Sequence, residues 1–172
     1  NYLNHKTSSF KMQLVCSNCS ENAMSHDKTS VDEPCPVARC VDVIGDRWSL
    51  LIIRDVMDGI HRFGDLQRSL SVARNILSNR LHKLIDAEIL ELRAASDGTA
   101  YQEYILTDKG KQLFPIVVAL RQWGEQYLFG ENEAHSVLIE KSTQKPVPLM
   151  TLSSSKGHIL DTDTTEVLKV NL

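Results

Sequence analysis

Apolar residues recur at helical spacing through most of this chain, with one short alternating interval between residues 89 and 106. Pro36 is placed as a first helical residue, where its missing amide proton would have no partner in any case, and Val37, Cys40, Val41 and Ile44 follow on one face. Gly45 ends that helix and Asp46 caps the next, in which Trp48, Leu51, Ile52 and Val56 form one apolar stripe and Leu50, Ile53 and Met57 another. A helix apolar nearly all round belongs at the centre of a domain, and Gly59 closes this one. From Phe63 the pattern turns amphipathic: Phe63, Leu66 and Leu70 mark a helix of about two turns, and residues 70–72 make a turn. A longer helix over about 73–87 follows, with Leu77, Leu81 and Leu84 facing inward. Residues 89–93 and 101–106 alternate as strands do, and Asp97-Gly98 between them is a hairpin signal. Thr107 is expected to cap a last long helix carrying Leu113, Ile116, Val117, Leu120, Trp123 and Tyr127 or Leu128 on its apolar face. Pro115 inside that pattern predicts a kink or a restart, and Gly130 an end.

A short helix, a tight break, a longer helix with a polar outer face and two strands around a turn form the outline of a winged helix-turn-helix. The fold class expected is therefore mainly α with a small β wing, α+β, over residues 33–130. Residues 1–32 show no sustained period and read as a mobile arm. Residues 131–172 read as a small β-rich C-terminal appendage, with short strands at 136–139, 149–152 and 167–170 separated by Pro, Gly, Ser and Asp. A length of 172 residues suits one core of ordinary size. No apolar run approaches the roughly 20 residues of a membrane helix, and residues 1–10 lack a secretory apolar segment. The expected compartment is the cytoplasm, with no membrane partner.

Charge narrows the choice of partner. The formal net charge is −3, which argues against a chain that coats nucleic acid indiscriminately. Yet Arg62, Arg68, Arg74, Arg80 and Lys83 lie between residues 61 and 83 against Asp65 alone, so positive charge is gathered on the predicted DNA face. On the helix over 73–87, Arg74, Asn75, Ser78 and Asn79 are expected to reach base edges, and Arg80 or Lys83 to touch phosphate. Asn suits an adenine edge and Arg a guanine edge. The competing reading is an ordinary solvated helix face. Arg62 belongs to the basic patch, and Arg93 would lie in the wing, along a phosphate, in the minor groove, or as a plain strand-end charge.

The remaining chemistry is sparse. His61 and His82 have no second metal ligand at helical spacing, and Cys16 and Cys19 have the two-residue gap of zinc or redox motifs without a matching second pair, so neither metal nor cofactor is expected. Cys35 immediately precedes a helix, where free amides can favour the thiolate, whereas Cys40 faces the core. A disulfide between Cys35 and Cys40 would strain. Gly-rich phosphate loops, nucleophile elbows and paired carboxylates are not recognisable, so an enzyme is not expected.

The runs Cys35-Pro36-Val37-Ala38-Arg39, Ile44-Gly45-Asp46-Arg47-Trp48, Leu51-Ile52-Ile53-Arg54-Asp55 and Arg62-Phe63-Gly64-Asp65-Leu66 resemble the HxlR family of prokaryotic winged-helix regulators, relatives of the MarR type. So do Leu77-Ser78-Asn79-Arg80-Leu81, Tyr104-Ile105-Leu106-Thr107-Asp108-Lys109-Gly110 and Trp123-Gly124, and the likeness covers about residues 34–129. The resemblance implies a transcriptional regulator that binds a palindromic double-stranded operator as a homodimer. It implies joining through the first and last helices, with Val37, Val41, Leu113, Ile116, Val117, Leu120 and Trp123 in the interface. It further implies that Cys35 could sense a small electrophile or oxidant. Two other classes stay open at this point: a winged helix used for protein contacts, and a thiol redox protein built on Cys16 and Cys19.

Overall fold

Among the residues that the computed structural model describes, 34–169, the chain forms α1 (Pro36–Ile44), α2 (Arg47–Met57), α3 (Phe63–Leu70), α4 (Arg74–Asp86), β1 (Leu90–Ala94), β2 (Gln102–Leu106), α5 (Asp108–Lys111) and α6 (Phe114–Tyr127). The expected arm over 1–32, with Cys16 and Cys19, lies outside the described residues. α1 starts at Pro36 after an extended Cys35 and stops at Gly45. Asp46 then caps α2 in full: its Oδ1 accepts the amides of Trp48 at 3.0 Å and Ser49 at 3.1 Å, and its Oδ2 accepts the Ser49 hydroxyl at 2.5 Å.

The helix that is apolar on two sides does sit at the centre. Ile52, Ile53 and Val56 of α2 are buried, and α2 touches α1, α3, α4, α6 and β2. Leu66 and Leu70 of α3, the Leu77, Leu81, Leu84 stripe of α4, and Ile89, Leu90 and Leu106 complete one core. α3 and α4 are joined by Ser71, which takes the left-handed conformation (φ 49°, ψ 40°), and Val72, which is buried. Ser71 lets the chain reverse, and Val72 pins the turn to the core.

β1 and β2 pair antiparallel, with Leu90 opposite Leu106, Leu92 opposite Tyr104 and Ala94 opposite Gln102. The Tyr104 amide donates to the His61 carbonyl at 2.9 Å, so the segment before α3 lies along the other edge of β2. Thr107 has a double role. Its hydroxyl accepts the Gly110 amide at 3.0 Å and donates to the Glu88 carbonyl at 2.6 Å, while Lys109 Nζ donates to the Ala87 carbonyl at 2.7 Å. The carboxyl end of α4, where a positive charge suits the helix dipole, is thereby tied to α5.

Two expectations are corrected. Thr107 caps only the four-residue α5; the long helix is a separate element that restarts at Phe114, with Pro115 in its first turn. Proline there loses no ladder bond, whereas proline inside a continuous helix would. The three short strands expected in the tail are not ladders. Among the described residues, 131–169 hold two isolated antiparallel bridges, Ile139 with Pro146 and Ser153 with Ile159, each closed by a turn. Turns over 140–144, with Gln144 at φ 57°, and over 154–158, with Gly157 at φ 80°, reverse the chain before pairing can extend. Val167 and Leu168 are exposed outside any strand.

The tail lies against α6 through polar ties. Arg121 Nη1 donates to the carbonyl and hydroxyl of Ser136, and Gln122 brackets the tail backbone, donating to the Pro148 carbonyl and accepting the Met150 amide.

At Gly110 an added Cβ would stand 2.2 Å from the Ile89 carbonyl oxygen and 2.9 Å from a Leu106 methyl, whereas at Gly64 nothing lies within 4 Å. Gly110→Ala is expected to lower stability by about 1–3 kcal/mol, and Gly64→Ala to leave it level or raise it by up to about 1 kcal/mol. Urea unfolding of the two variants checks the pair; a Gly110→Ala chain as stable as the parent would refute the close approach of α5 to Ile89 and Leu106.

Candidate nucleic-acid interface

The amphipathic period of α4 divides its side chains cleanly. With Leu77, Leu81 and Leu84 buried, Arg74, Asn75, Asn79, His82 and Lys83 are exposed and Ser78 is half-buried. Ala73 precedes the helix without a side-chain cap, so the amides of the first turn are not taken by a capping side chain. That amino end therefore offers donors and partial positive charge to an anionic oxygen. The Arg74 guanidinium rests 5.5 Å over the Phe63 ring, at the start of α3. His82 Nδ1 stands 2.7 Å from the Ser78 carbonyl oxygen, which turns this imidazole back onto its own helix.

The basic patch is less free than its sequence suggests. Arg80 is half-buried and turned toward Asp46, its Nε 3.2 Å from the carboxylate in an ion pair without hydrogen-bond geometry. The Asp46 carboxyl lies below the usual range: burial would raise it, but the hydrogen bonds from Ser49 and Trp48 and the Arg80 charge outweigh that. Arg68 pairs with Asp65, and Arg93 with Glu91. Among the described residues, Arg74 and Lys83 are the members of the patch with no carboxylate partner.

Arg62 belongs to the wing. It pairs with Asp97, lies 3.6 Å from Glu103 Oε1 and places its guanidinium 5.5 Å over the Tyr101 ring. The tip itself is built on Asp97, which accepts the Thr99 amide at 3.1 Å and hydroxyl at 2.7 Å, and on Gly98 at φ +76°. Only glycine takes that conformation freely. Sequence reasoning placed Arg62 among DNA-contacting side chains and did not single out Asp97, Thr99, Tyr101 or Glu103. The Asp97-Gly98 turn signal was visible; its pairing with a cation 35 residues earlier was not.

A second exposed surface is apolar. On α1, Val37 is 69% exposed and Val41 56%; on α6, Leu120 is 51% exposed and Trp123 55%, with Ile116 beside them. Leu113 and Val117 pack instead against the core, and Val118, which the helical spacing did not single out, is the buried residue of α6. Between α1 and α6 runs a groove of about 410 Å³ lined by Pro36, Val37, Val41, Leu50, Ile116 and Leu120. Cys35 is exposed at the mouth of α1, and Cys40 is half-buried against the core. Among the described residues no helix is long and apolar enough to cross a membrane.

The family model for HxlR-like helix-turn-helix proteins matches residues 43–132, from the end of α1 past α6. The chain belongs to this family. An HTH-type transcriptional regulator of Mycobacterium tuberculosis is 40% identical over 92 residues, 54% of this chain and 58% of its own length. The chain thus spans just under three fifths of the mycobacterial relatives it matches. YybR of Bacillus subtilis, also named an HTH-type transcriptional regulator, is 33% identical over 94 residues, 54% of this chain and 75% of its own length. The crystal structure of PA1607, described as a candidate transcription factor, superposes with a TM-score of 0.76 at 45% identity and covers 81% of this chain and 97% of that one. The winged helix-turn-helix expected from the sequence is the fold of an HxlR-family chain. The relatives carry the names of transcriptional regulators, not of enzymes. The match to PA1607 spans more of the chain than the family model does.

The wing tip makes a titration prediction. Hydrogen bonds from the Thr99 hydroxyl and amide, then from Arg62, hold the Asp97 carboxyl down at about 2. A depressed carboxyl contributes stability above its unfolded value of about 3.9 and loses that contribution as the pH falls through about 2. Carbon NMR of the Asp97 side chain should show its titration near 2, and Thr99→Ala should move it upward. A midpoint near 4 in the parent chain would refute the tip geometry.

Proposed function

We propose that this chain is a sequence-specific DNA-binding transcriptional regulator that acts as a homodimer on a palindromic operator. The observation that carries the proposal is the row Arg74, Asn75, Asn79 and Lys83, exposed along one face of α4 at an uncapped amino end, next to a wing. In the major groove, Asn75 and Asn79 have the donor and acceptor pair that reads adenine, and Arg74 the fork that reads guanine. Ser78 stands between them as a shorter hydrogen-bonding group, and Lys83 supplies a phosphate contact. Arg80 and Arg62 act one step back: Arg80 fixes α4 against the cap of α2, and Arg62 fixes the wing against α3. Arg93, exposed and paired with Glu91 in β1, is placed to exchange that acid for a phosphate.

The second copy of the chain would cover the α1 and α6 face, where Val37, Val41, Ile116, Leu120 and Trp123 form an apolar surface of a kind monomers seldom leave in water. Such a dimer would set two α4 helices about 34–36 Å apart, in successive major grooves. Cys35 sits beside this face on the extended residue that opens α1, so an electrophile or oxidant captured there would alter the interface.

A mobility shift on DNA upstream of the gene tests the reading function. Parent protein should give a specific complex; Asn79→Ala should weaken it by about 1–3 kcal/mol and relax its sequence preference, and Lys83→Ala should lower the salt slope by about one. The complex should be lost on treatment with a thiol-reactive electrophile and survive treatment in Cys35→Ser. No complex above nonspecific DNA would overturn the regulator reading, and a complex equally sensitive in Cys35→Ser would overturn the sensing part.

Sedimentation tests the assembly. The parent chain should run as a dimer and Leu120→Glu as a monomer, because a carboxylate at the centre of an apolar interface cannot be desolvated cheaply. A monomeric parent would overturn the homodimer, and a dimeric Leu120→Glu chain would place its interface elsewhere.

A further inference from the structure

The tail after α6 is apolar on two sides and uses only one of them. Leu138 and Val147 of its first hairpin and Leu160 of its second are half-buried, whereas Val137, Ile139 and Ile159, their neighbours in the chain or across the hairpin, are exposed, Ile159 by 68%. Successive side chains of extended backbone point to opposite sides. Consecutive apolar residues such as Val137-Leu138-Ile139 and Ile159-Leu160 therefore suit a segment that is covered on both. We infer that the outer side of the tail packs on a second copy of this chain, as an arm that extends the α1 and α6 interface. The inference rests on the homodimer proposed above.

The contacts that the tail makes within its own chain account for one side alone. Among residues 131–169 none is buried, and each hairpin is closed by a single bridge. Its hydrogen bonds to α6 come from Arg121 and Gln122, and both are polar ties. A lone hairpin is marginal in water and needs a helix or further strands against its apolar side. No described residue of this chain covers Val137, Ile139 or Ile159. Yet the path of the tail is not peculiar to this protein. The superposition on PA1607 reaches into it, because 81% of the chain is more than residues 1–130 supply.

Continuity and size point to a second copy as the cover. Leu50 and Leu120 line the groove between α1 and α6, and they also line the adjoining cavity that reaches Phe129 and Ser136 at the base of the tail. The apolar surface assigned to the partner copy thus runs on without a break to the foot of the arm. A stable pair of chains joins roughly 20–30 residues a side. Val37, Val41, Ile116, Leu120 and Trp123 alone fall well short of that, and the outer side chains of the tail enlarge the face. In a two-fold pair each arm would lie on the other copy, so the contact is made twice.

The test uses the full chain. Mixed dimers of carbon-13-labelled and unlabelled copies should give isotope-filtered NOEs from the methyl groups of Val137, Ile139 and Ile159 to protons of the other copy. By sedimentation equilibrium, the double variant Ile139→Glu, Ile159→Glu should weaken the dimer about tenfold or more. Lys156→Ala, on the turn of the second hairpin, should leave it unchanged. Neither isoleucine belongs to the core, so the circular dichroism of the double variant should match the parent. A dimeric parent without tail NOEs to the other copy would overturn the arm whatever the variant does, and would leave the homodimer standing. So would a double variant that dimerises as tightly as the parent. A monomeric parent would overturn both.

Discussion

Burial of α2 on nearly every side is the constraint from which the rest of the fold follows. Ile52 and Ile53 both have no exposed surface, so this one helix must be walled in by other elements, and α1, α3, α4, α6 and β2 are those walls. Each wall gives α2 its apolar side and turns its other side outward. For α4 the other side is the polar row from Arg74 to Lys83, and for α1 and α6 it is a second apolar face. The two surfaces proposed for DNA and for a partner copy are therefore outer faces of the same layer packed around one buried helix.

Electrostatics then divides the basic residues between structure and reading. Of the five cations between residues 61 and 83, Arg62, Arg68 and Arg80 are drawn to carboxylates, and Arg74 and Lys83 are left to solvent. The spent charges are not idle. Arg62 holds a glycine-based tip against α3, and Arg80 holds α4 against the cap of α2, so the groups that would meet DNA are mounted on parts whose mutual positions are fixed by ion pairs. A surface pair contributes little stability alone. Its value here is geometric.

How much of this was legible in the sequence follows from the range of each interaction. Helix periods, the Asp46 cap, the turn after Leu70 and the Asp97-Gly98 hairpin are set by residues within a few positions of one another, and all four could be read directly, although the left-handed conformation of Ser71 within that turn was not. The exposed face of α4 was legible for the same reason, since helical phase alone separates Asn75 and Asn79 from Leu77 and Leu81. What could not be read was pairing across the fold. A count of charge from residue 61 to 83 cannot know that Asp46, Asp97 and Glu103 come to lie beside it. The tail failed differently: its apolar tetrads have strand composition, but strands also need partners of matching length, and turns at 140–144 and 154–158 cut each pairing to a single bridge.

Asp46 joins the two surfaces at one point. It follows Gly45, where α1 ends, and its carboxylate serves both the first turn of α2 and Arg80 on α4. The amides of Trp48 and Ser49 fix that carboxylate to α2 while Arg80 ties it to α4. The junction of α1, α2 and α4 thus rests on one carboxylate shared by two helices, where a lost partner on either side would loosen both contacts.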